Sequence, residues 1–116
     1  MIRPSGELPV YLYTGVTDMR KAVDGLSALV ELQMEHSPFE AAMFVFCNRR
    51  KDRIKILVWE RNGFVVWFKR LEKECFKWPD ENEAKSLTTE ELNLLLDGYD
   101  IRRMKPHKNL NYQSVN

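Results

Sequence analysis

The sequence has 116 residues, of which 44% are hydrophobic and 30% charged, and its net charge is +1. This length predicts one domain with a single core. No run approaches the ~18 apolar residues of a membrane span and no signal-peptide apolar region is present, so we expect a cytoplasmic protein. Charge is segregated along the chain, because residues 49–78 hold ten basic and four acidic groups, whereas residues 79–101 hold one basic and seven acidic groups.

The first two predicted elements are a strand and a helix. Pro9–Thr14 alternates aliphatic and tyrosine residues, and the proline at its first position is typical of an edge strand. Apolar residues then recur at three- and four-residue spacing up to Met34, the pattern of an amphipathic helix. Thr17 or Asp18 is the expected N-cap, and the helix must end before Pro38.

Three apolar runs rich in Val, Ile, Phe and Trp follow, at Met43–Cys47, Ile54–Glu60 and Phe64–Lys69, and they predict an antiparallel meander. The second turn sets its register. A two-residue loop, Asn62-Gly63, would put Lys55 and Arg70 on one face with Leu57, Trp59, Val66 and Phe68. A three-residue loop over residues 61–63 instead gives one wholly apolar face, formed by Ile54, Ile56, Val58, Phe64, Val66 and Phe68. We adopt the three-residue loop because it separates apolar from polar residues better.

The rest of the chain adds a short strand and a second helix. Glu74–Trp78 is interpreted as a fourth strand of the meander, and Thr88 as the N-cap of a helix that Gly98 ends. Residues 1–101 form the predicted domain, and residues 102–116 a loose basic tail. The expected fold is therefore α+β: an antiparallel sheet of four or five strands, with one face covered by the Asp18–Met34 helix and a short second helix near the C-terminus.

The turn between the first two central strands carries a cluster of cations. We expect it to lie beside the end of the third strand, because a meander returns each strand alongside the last. Such a cluster could neutralise phosphates, although charges at a solvated turn that protect the strands from aggregation are the alternative. The candidate nucleic-acid-binding residues are Arg49, Arg50, Lys51, Arg53, Lys55, Lys69 and Arg70, with Arg20 and Lys21 as possible additions.

Two tryptophans share the second sheet face in the adopted register. Trp59 and Trp67 would lie there beside Lys55 and Lys69, either as a platform for stacked bases or, as we favour, under the C-terminal helix, the tail or a partner chain. We therefore treat both tryptophans as candidate partner-binding residues.

Catalytic and metal-binding patterns are missing from the sequence. No His lies near a Ser, Cys or carboxylate in a recognisable spacing, and there is neither a Gly-rich phosphate loop nor a His/Cys metal set. We predict no catalytic residue, no metal and no cofactor. Cys47 and Cys75 fall on predicted strands and are interpreted as buried, reduced thiols.

A series of short motifs resembles a known family over roughly residues 9 to 101. In order they are Thr14–Lys21, Asp24–Leu26, Asp52–Leu57 with Trp59, Lys69–Lys73, Phe76 with Trp78 and Pro79, and Leu94–Gly98. Together they resemble the TnpB-type accessory protein, the second open reading frame of insertion sequences of the insertion sequence 66 (IS 66) family. Ala22 stands where glycine is commoner in that family, and Tyr99 where isoleucine is usual.

The resemblance implies an accessory role in DNA transposition, beside a separate transposase that carries the catalytic carboxylates. We accordingly expect a non-catalytic protein that binds DNA within the transposition complex. The alternative is an adaptor that docks the transposase, or a second copy of itself, without touching DNA. DNA and the transposase are the expected partners.

Overall fold

The computed structural model describes residues 7–80 and 86–101. Its elements are β1 (Val10–Val16), α1 (Val23–Leu32), β2 (Met43–Cys47), β3 (Arg53–Glu60), β4 (Gly63–Arg70), β5 (Ser86–Leu87) and α2 (Thr89–Leu96). The strands form one five-stranded sheet in the order β4-β3-β2-β1-β5. The predicted tail, residues 102–116, lies outside the described residues.

The α+β class is confirmed, but the sheet is mixed rather than wholly antiparallel. β1 runs parallel to β2, and the other three pairings are antiparallel. The parallel pair follows from the connection, because α1 carries the chain back so that β2 starts at the same end as β1. β1 is also not an edge strand along its whole length, since β5 pairs with its first two residues, Val10 and Tyr11.

The predicted strand at Glu74–Trp78 is wrong. These residues form no strand; the Phe76 backbone N–H donates to the carbonyl of Lys51 at 2.7 Å. The fifth strand is formed further on by Ser86 and Leu87. Phe76 and Trp78 are nevertheless buried. The alternation of apolar residues therefore marks side chains that enter the core, although their segment is not hydrogen-bonded into the sheet.

The predicted register of the β3–β4 hairpin is also wrong. Glu60 pairs with Gly63, so that the loop has two residues, Arg61 and Asn62, and Leu57 lies opposite Val66. Arg61 adopts the left-handed conformation, with φ 58°. The adopted register assumed that only one face of the sheet is buried. Because both faces are covered, a wholly apolar face has no advantage, and that criterion selects the wrong loop.

Each face of the sheet is covered by one helix. α1 packs on the face of Phe44, Phe46 and Leu57, through Leu26 and Val30. α2 packs on the opposite face, where its leucines contact the core that contains Ile54 and Ile56. The prediction that the first helix covers the face of Ile56 is therefore wrong, because the second helix packs on that face.

The helix boundaries follow local signals to different degrees. α1 starts at Val23, five residues after the predicted cap, and its N-cap residue Ala22 makes no side-chain hydrogen bond. α2 has the predicted N-cap, because Thr88 and Glu91 form a reciprocal capping box. It ends as predicted at Gly98, whose φ is +96°.

Candidate nucleic-acid interface

The cationic turn between β2 and β3 is built around Asn48. The Asn48 Oδ1 atom accepts hydrogen bonds from the backbone N–H groups of Asp52, at 3.1 Å, and Arg53, at 3.0 Å. The Asn48 amide nitrogen donates to Asp52 Oδ1 at 2.7 Å. That hydrogen bond, helped by the charges of Arg53 and Arg50, holds the pKa of Asp52 below its ordinary value. The turn is thus fixed from inside, while Arg49 and Arg50 remain exposed.

This turn forms one wall of an open groove of about 1120 Å³. The other walls are the end of β4 and the segment that follows β1, and the floor includes Val66 and Phe68. Five arginines line the groove: Arg20, Arg49, Arg50, Arg53 and Arg70. Among the lining residues in the described part of the chain, Asp18 alone is acidic.

Two of these arginines face each other across the hairpin. Arg53 pairs with Arg70 in the β3–β4 register, and like charges directly opposite each other destabilise a sheet. Arg70 has a partner in Glu72 at 2.9 Å, but both side chains of this pair are more than half exposed. Within the described ranges, the side chains of Arg49, Arg50 and Arg53 make neither hydrogen bonds nor ion pairs. Their positive charge is therefore available to an anion from outside the chain.

Arg20 differs from the other four because it already has a carboxylate. Its guanidinium donates to Asp18 Oδ2 at 2.7 Å, and the Asp18 Oδ1 atom also accepts from the Arg20 backbone N–H at 2.9 Å. These hydrogen bonds lower the pKa of Asp18 to about 2. They also explain the late start of α1, because Asp18 closes a separate turn at residues 18–21 instead of capping the helix.

The remaining predicted cations are placed differently. Lys55 lines the groove, but its ammonium donates to the backbone carbonyls of Met19, at 2.9 Å, and Lys21, at 2.8 Å. Lys69 lies on the opposite face of the sheet, where it donates to the carbonyl of Leu96 at 2.9 Å. Lys51 sits in the turn with φ 62°, half-buried and away from the groove wall. The structure thus brings together Arg49, Arg50, Arg53, Lys55 and Arg70. Of the two possible additions, Arg20 joins them and Lys21 does not; Lys51 and Lys69 also lie outside the groove.

Two further features of the groove escaped the sequence reasoning. Phe68 and Val16 are 45% and 48% exposed and line it. Phe68 had been assigned to a buried face by the wrong register. The observed loop, Arg61-Asn62, which differs from both loops considered, pairs it directly with Lys55, whose ammonium lies 6.0 Å from its ring centroid. Thr17, also a lining residue, is only 2% exposed, and its Oγ1 atom has no hydrogen-bond partner among the described residues.

The two candidate partner-binding tryptophans do not share a face. Trp59 lies on the α1 side, with its ring centroid 4.9 Å from that of Phe64 and 5.0 Å from that of Phe39. Trp67 packs against the α2-side core. The two tryptophans therefore do not form the predicted platform. Trp67 does pack against the core on the α2 side, as expected for a residue covered by the C-terminal helix. Phe39, Trp59 and Phe64, which we call the aromatic cluster, include one strongly exposed ring, since Phe39 is 57% exposed.

The two cysteines also differ from each other. Cys47 is buried, and desolvation raises the pKa of its thiol to about 12. Cys75 is exposed and lies outside any strand, so its predicted burial is wrong; its Sγ atom donates to the carbonyl of Arg50 at 3.2 Å. Both are free thiols.

The described residues contain neither a candidate metal site nor a helix that could span a membrane. No group of three or more His, Cys, Asp or Glu side chains is placed to hold a metal ion in this part of the chain. No helix within it has the length and apolar character needed to cross a bilayer.

Fold and groove together define a small α+β protein with a strongly cationic concave surface. The chain matches the model of the family described as "IS66 Orf2 like protein" over residues 8–106, and it belongs to this family. It is 34% identical over 106 residues to the uncharacterized protein y4jC of Sinorhizobium fredii, covering 90% of this chain and 91% of that one. It is 33% identical over 101 residues to y4hO of the same organism, also uncharacterized, covering 85% and 88% of the two chains. No solved structure matches the chain significantly.

Proposed function

We propose that this protein is a non-catalytic accessory factor of transposition that binds DNA through its cationic groove. The family supplies the transposition context. The observation that carries DNA binding is the convergence of arginines from the 48–53 turn, from β3 and from β4 on one concave surface. A planar guanidinium donates two parallel hydrogen bonds to a phosphate, so arginine is better suited than lysine to this contact.

Four of the arginines are available for phosphate contacts. Arg49, Arg50 and Arg53 are unpaired within the described ranges, and Arg70 is held only by an exposed ion pair, which contributes little and is screened by salt. Arg20 is committed to Asp18. Lys55 adds charge to the groove while its ammonium holds the backbone. Four neutralised phosphates on duplex DNA correspond to a slope of log affinity against log salt of about −3.6, at ~0.9 per contact.

Charge reversal with a matched control tests the proposal. The variant Arg49→Glu/Arg50→Glu/Arg53→Glu removes three phosphate contacts, and we expect its affinity for DNA from the element's ends to fall on the order of 10²-fold at 0.1 M salt. The slope should lie between about −1 and 0, because a carboxylate at position 53 would face Arg70 across the hairpin. The control Arg61→Glu/Lys73→Glu/Lys77→Glu reverses three exposed cations outside the groove, and it makes the same change in net charge.

The measurement is fluorescence anisotropy on duplex and single-stranded forms of the same DNA, across a salt series. Binding that survives the control variant and is lost in the groove variant supports the proposal. Equal losses in the two triple variants, or no binding of the unmodified protein to either form at low salt, would refute it.

The aromatic cluster favours a second candidate function, docking of the transposase. An exposed phenylalanine packed on a tryptophan at the hairpin end of the sheet is typical of an interface anchor, since aromatic residues are enriched at such sites. This candidate is compatible with the first, because the cluster and the groove lie at different ends of β3.

A further inference from the structure

We propose that the groove takes single-stranded DNA, with a base stacked on Phe68 and the flanking phosphates on the surrounding arginines. This inference rests on the proposed function, since it assumes that the groove binds DNA. It narrows that function to one form of the ligand.

The shape of the cationic surface favours a single strand. Duplex DNA is usually read by a helix or a β-ribbon that protrudes into the major groove. Within the described ranges the arginines lie along an open groove lined by residues of β1, β3, β4 and loops, and neither helix contributes a lining residue. A protein surface that is itself concave receives a thin, flexible strand better than a rigid duplex.

Apolar exposure inside the groove is the second observation. Phe68 is 45% exposed between cationic walls, and Val16 beside it is 48% exposed. Phosphate contacts alone require neither side chain. An aromatic ring flanked by cations is the usual platform for an unpaired base, whereas the bases of a duplex are stacked on each other and cannot reach such a ring.

The cation next to the ring fits the same interpretation. Lys55 Nζ lies 6.0 Å from the Phe68 centroid and is held there by its two bonds to backbone carbonyls. The ring and the charge are thus fixed relative to each other before a ligand arrives. Arg53 and Arg70 continue the line of positive charge at the same end of the hairpin. A strand with its base on Phe68 would place adjacent phosphates among these groups.

The experiment compares fluorescein-labelled oligo(dT) of 12 nucleotides with a hairpin duplex of the same number of phosphates. For Phe68→Ala we expect a loss of about 5- to 150-fold on oligo(dT), the range of one base stacked on one aromatic side chain. The loss on the duplex should be less than 2-fold. The dependence of oligo(dT) affinity on salt should keep its slope, because the removed contact is uncharged.

Two further variants make the result specific. Phe68→Trp keeps a stacking surface and should bind oligo(dT) at least as tightly as the unmodified protein. Phe39→Ala removes a phenylalanine outside the groove that is 57% exposed, against 45% for Phe68, and should leave binding unchanged.

Failure of the inference is distinguishable from failure of the proposed function. Preference for the duplex, or equal effects of Phe68→Ala on the two forms, would overturn the single-strand assignment while leaving DNA binding intact. Absence of binding to both forms would overturn both. Tighter binding of oligo(rU) than of oligo(dT) would overturn the choice of DNA.

Discussion

At the scale of single residues, the unpaired hydroxyl of Thr17 destabilises the folded protein in the absence of DNA. Its backbone N–H is satisfied by the carbonyl of Cys47 at 2.9 Å, so only the side chain lacks a partner. A buried polar group without a hydrogen bond destabilises by about 1–3 kcal/mol, and replacing it with an apolar group of the same shape removes that cost. We therefore expect Thr17→Val to stabilise the DNA-free protein by about 1 kcal/mol.

Urea unfolding followed by circular dichroism measures this difference. Thr17→Ser is the matched control, because it keeps the hydroxyl and loses a buried methyl group, so it should destabilise the protein. A Thr17→Val protein that unfolds at lower urea concentration than the unmodified one would show that the hydroxyl is satisfied in solution.

Residues in the site were predictable where their position depended on the turn alone. Arg49, Arg50 and Arg53 were identified because they fall in or beside the turn between two predicted strands, and the side chain of Asn48 organises that turn. Phe68 was missed because its exposure depends on strand register. The register in turn depends on which faces of the sheet are buried, and the sequence of the hairpin alone does not specify those faces.

At the scale of elements, two lysines link the helical segments to the sheet. Both were predicted from the sequence as phosphate ligands. Lys55 binds the carbonyls of the turn that precedes α1, and Lys69 binds the carbonyl of Leu96 at the end of α2. A cation at the C-terminal end of a helix is favourable for the exposed carbonyls there. Lys55 therefore fixes the turn before α1 to one face of the β3–β4 hairpin, and Lys69 fixes the end of α2 to the other face.

Lys55→Met tests this structural role. The substitution removes two charge-assisted hydrogen bonds, so we expect it to destabilise the protein by about 1–3 kcal/mol. Lys77→Met is the control, since Lys77 is exposed and should change the free energy of unfolding by less than about 0.5 kcal/mol. Thermal unfolding of both variants gives the comparison, and equal stability of the two would mean that Lys55 has no anchoring role.

Elements set by adjacent residues could be predicted, and those set by distant contacts could not. α2 was predicted because Thr88, Glu91 and Gly98 carry their capping chemistry locally. α1 was placed too early because Asp18 has two possible uses, and its bond to Arg20 prevails over a helix cap. The parallel pairing of β1 with β2 could not be read from the strands themselves, since both directions satisfy the same apolar pattern.

At the scale of the whole molecule, the chain separates two surfaces along one strand. Arg53 begins β3 beside the groove, and Trp59 lies near its other end in the aromatic cluster. Six residues of strand separate them by about 20 Å, at ~3.4 Å per residue. The cluster is therefore separated from the arginine end of the groove, although Phe64 lies only two residues along β4 from the lining residue Val66. Substitutions at Phe39 and at the arginines should then separate the proposed DNA and transposase functions.

The separation leads to a double dissociation. Phe39→Ser removes the exposed ring of the cluster, and we expect it to abolish co-purification with the transposase while DNA affinity stays within about 2-fold, because aromatic anchors dominate interface energies. Arg49→Glu/Arg50→Glu should do the reverse, losing DNA affinity and keeping the transposase. Phe39 is 57% exposed, so its replacement should leave the core intact, and circular dichroism checks this. If Phe39→Ser retains the transposase and the arginine variant releases it, then the groove and not the aromatic cluster is the docking surface, and binding of DNA and of the transposase would compete for one site.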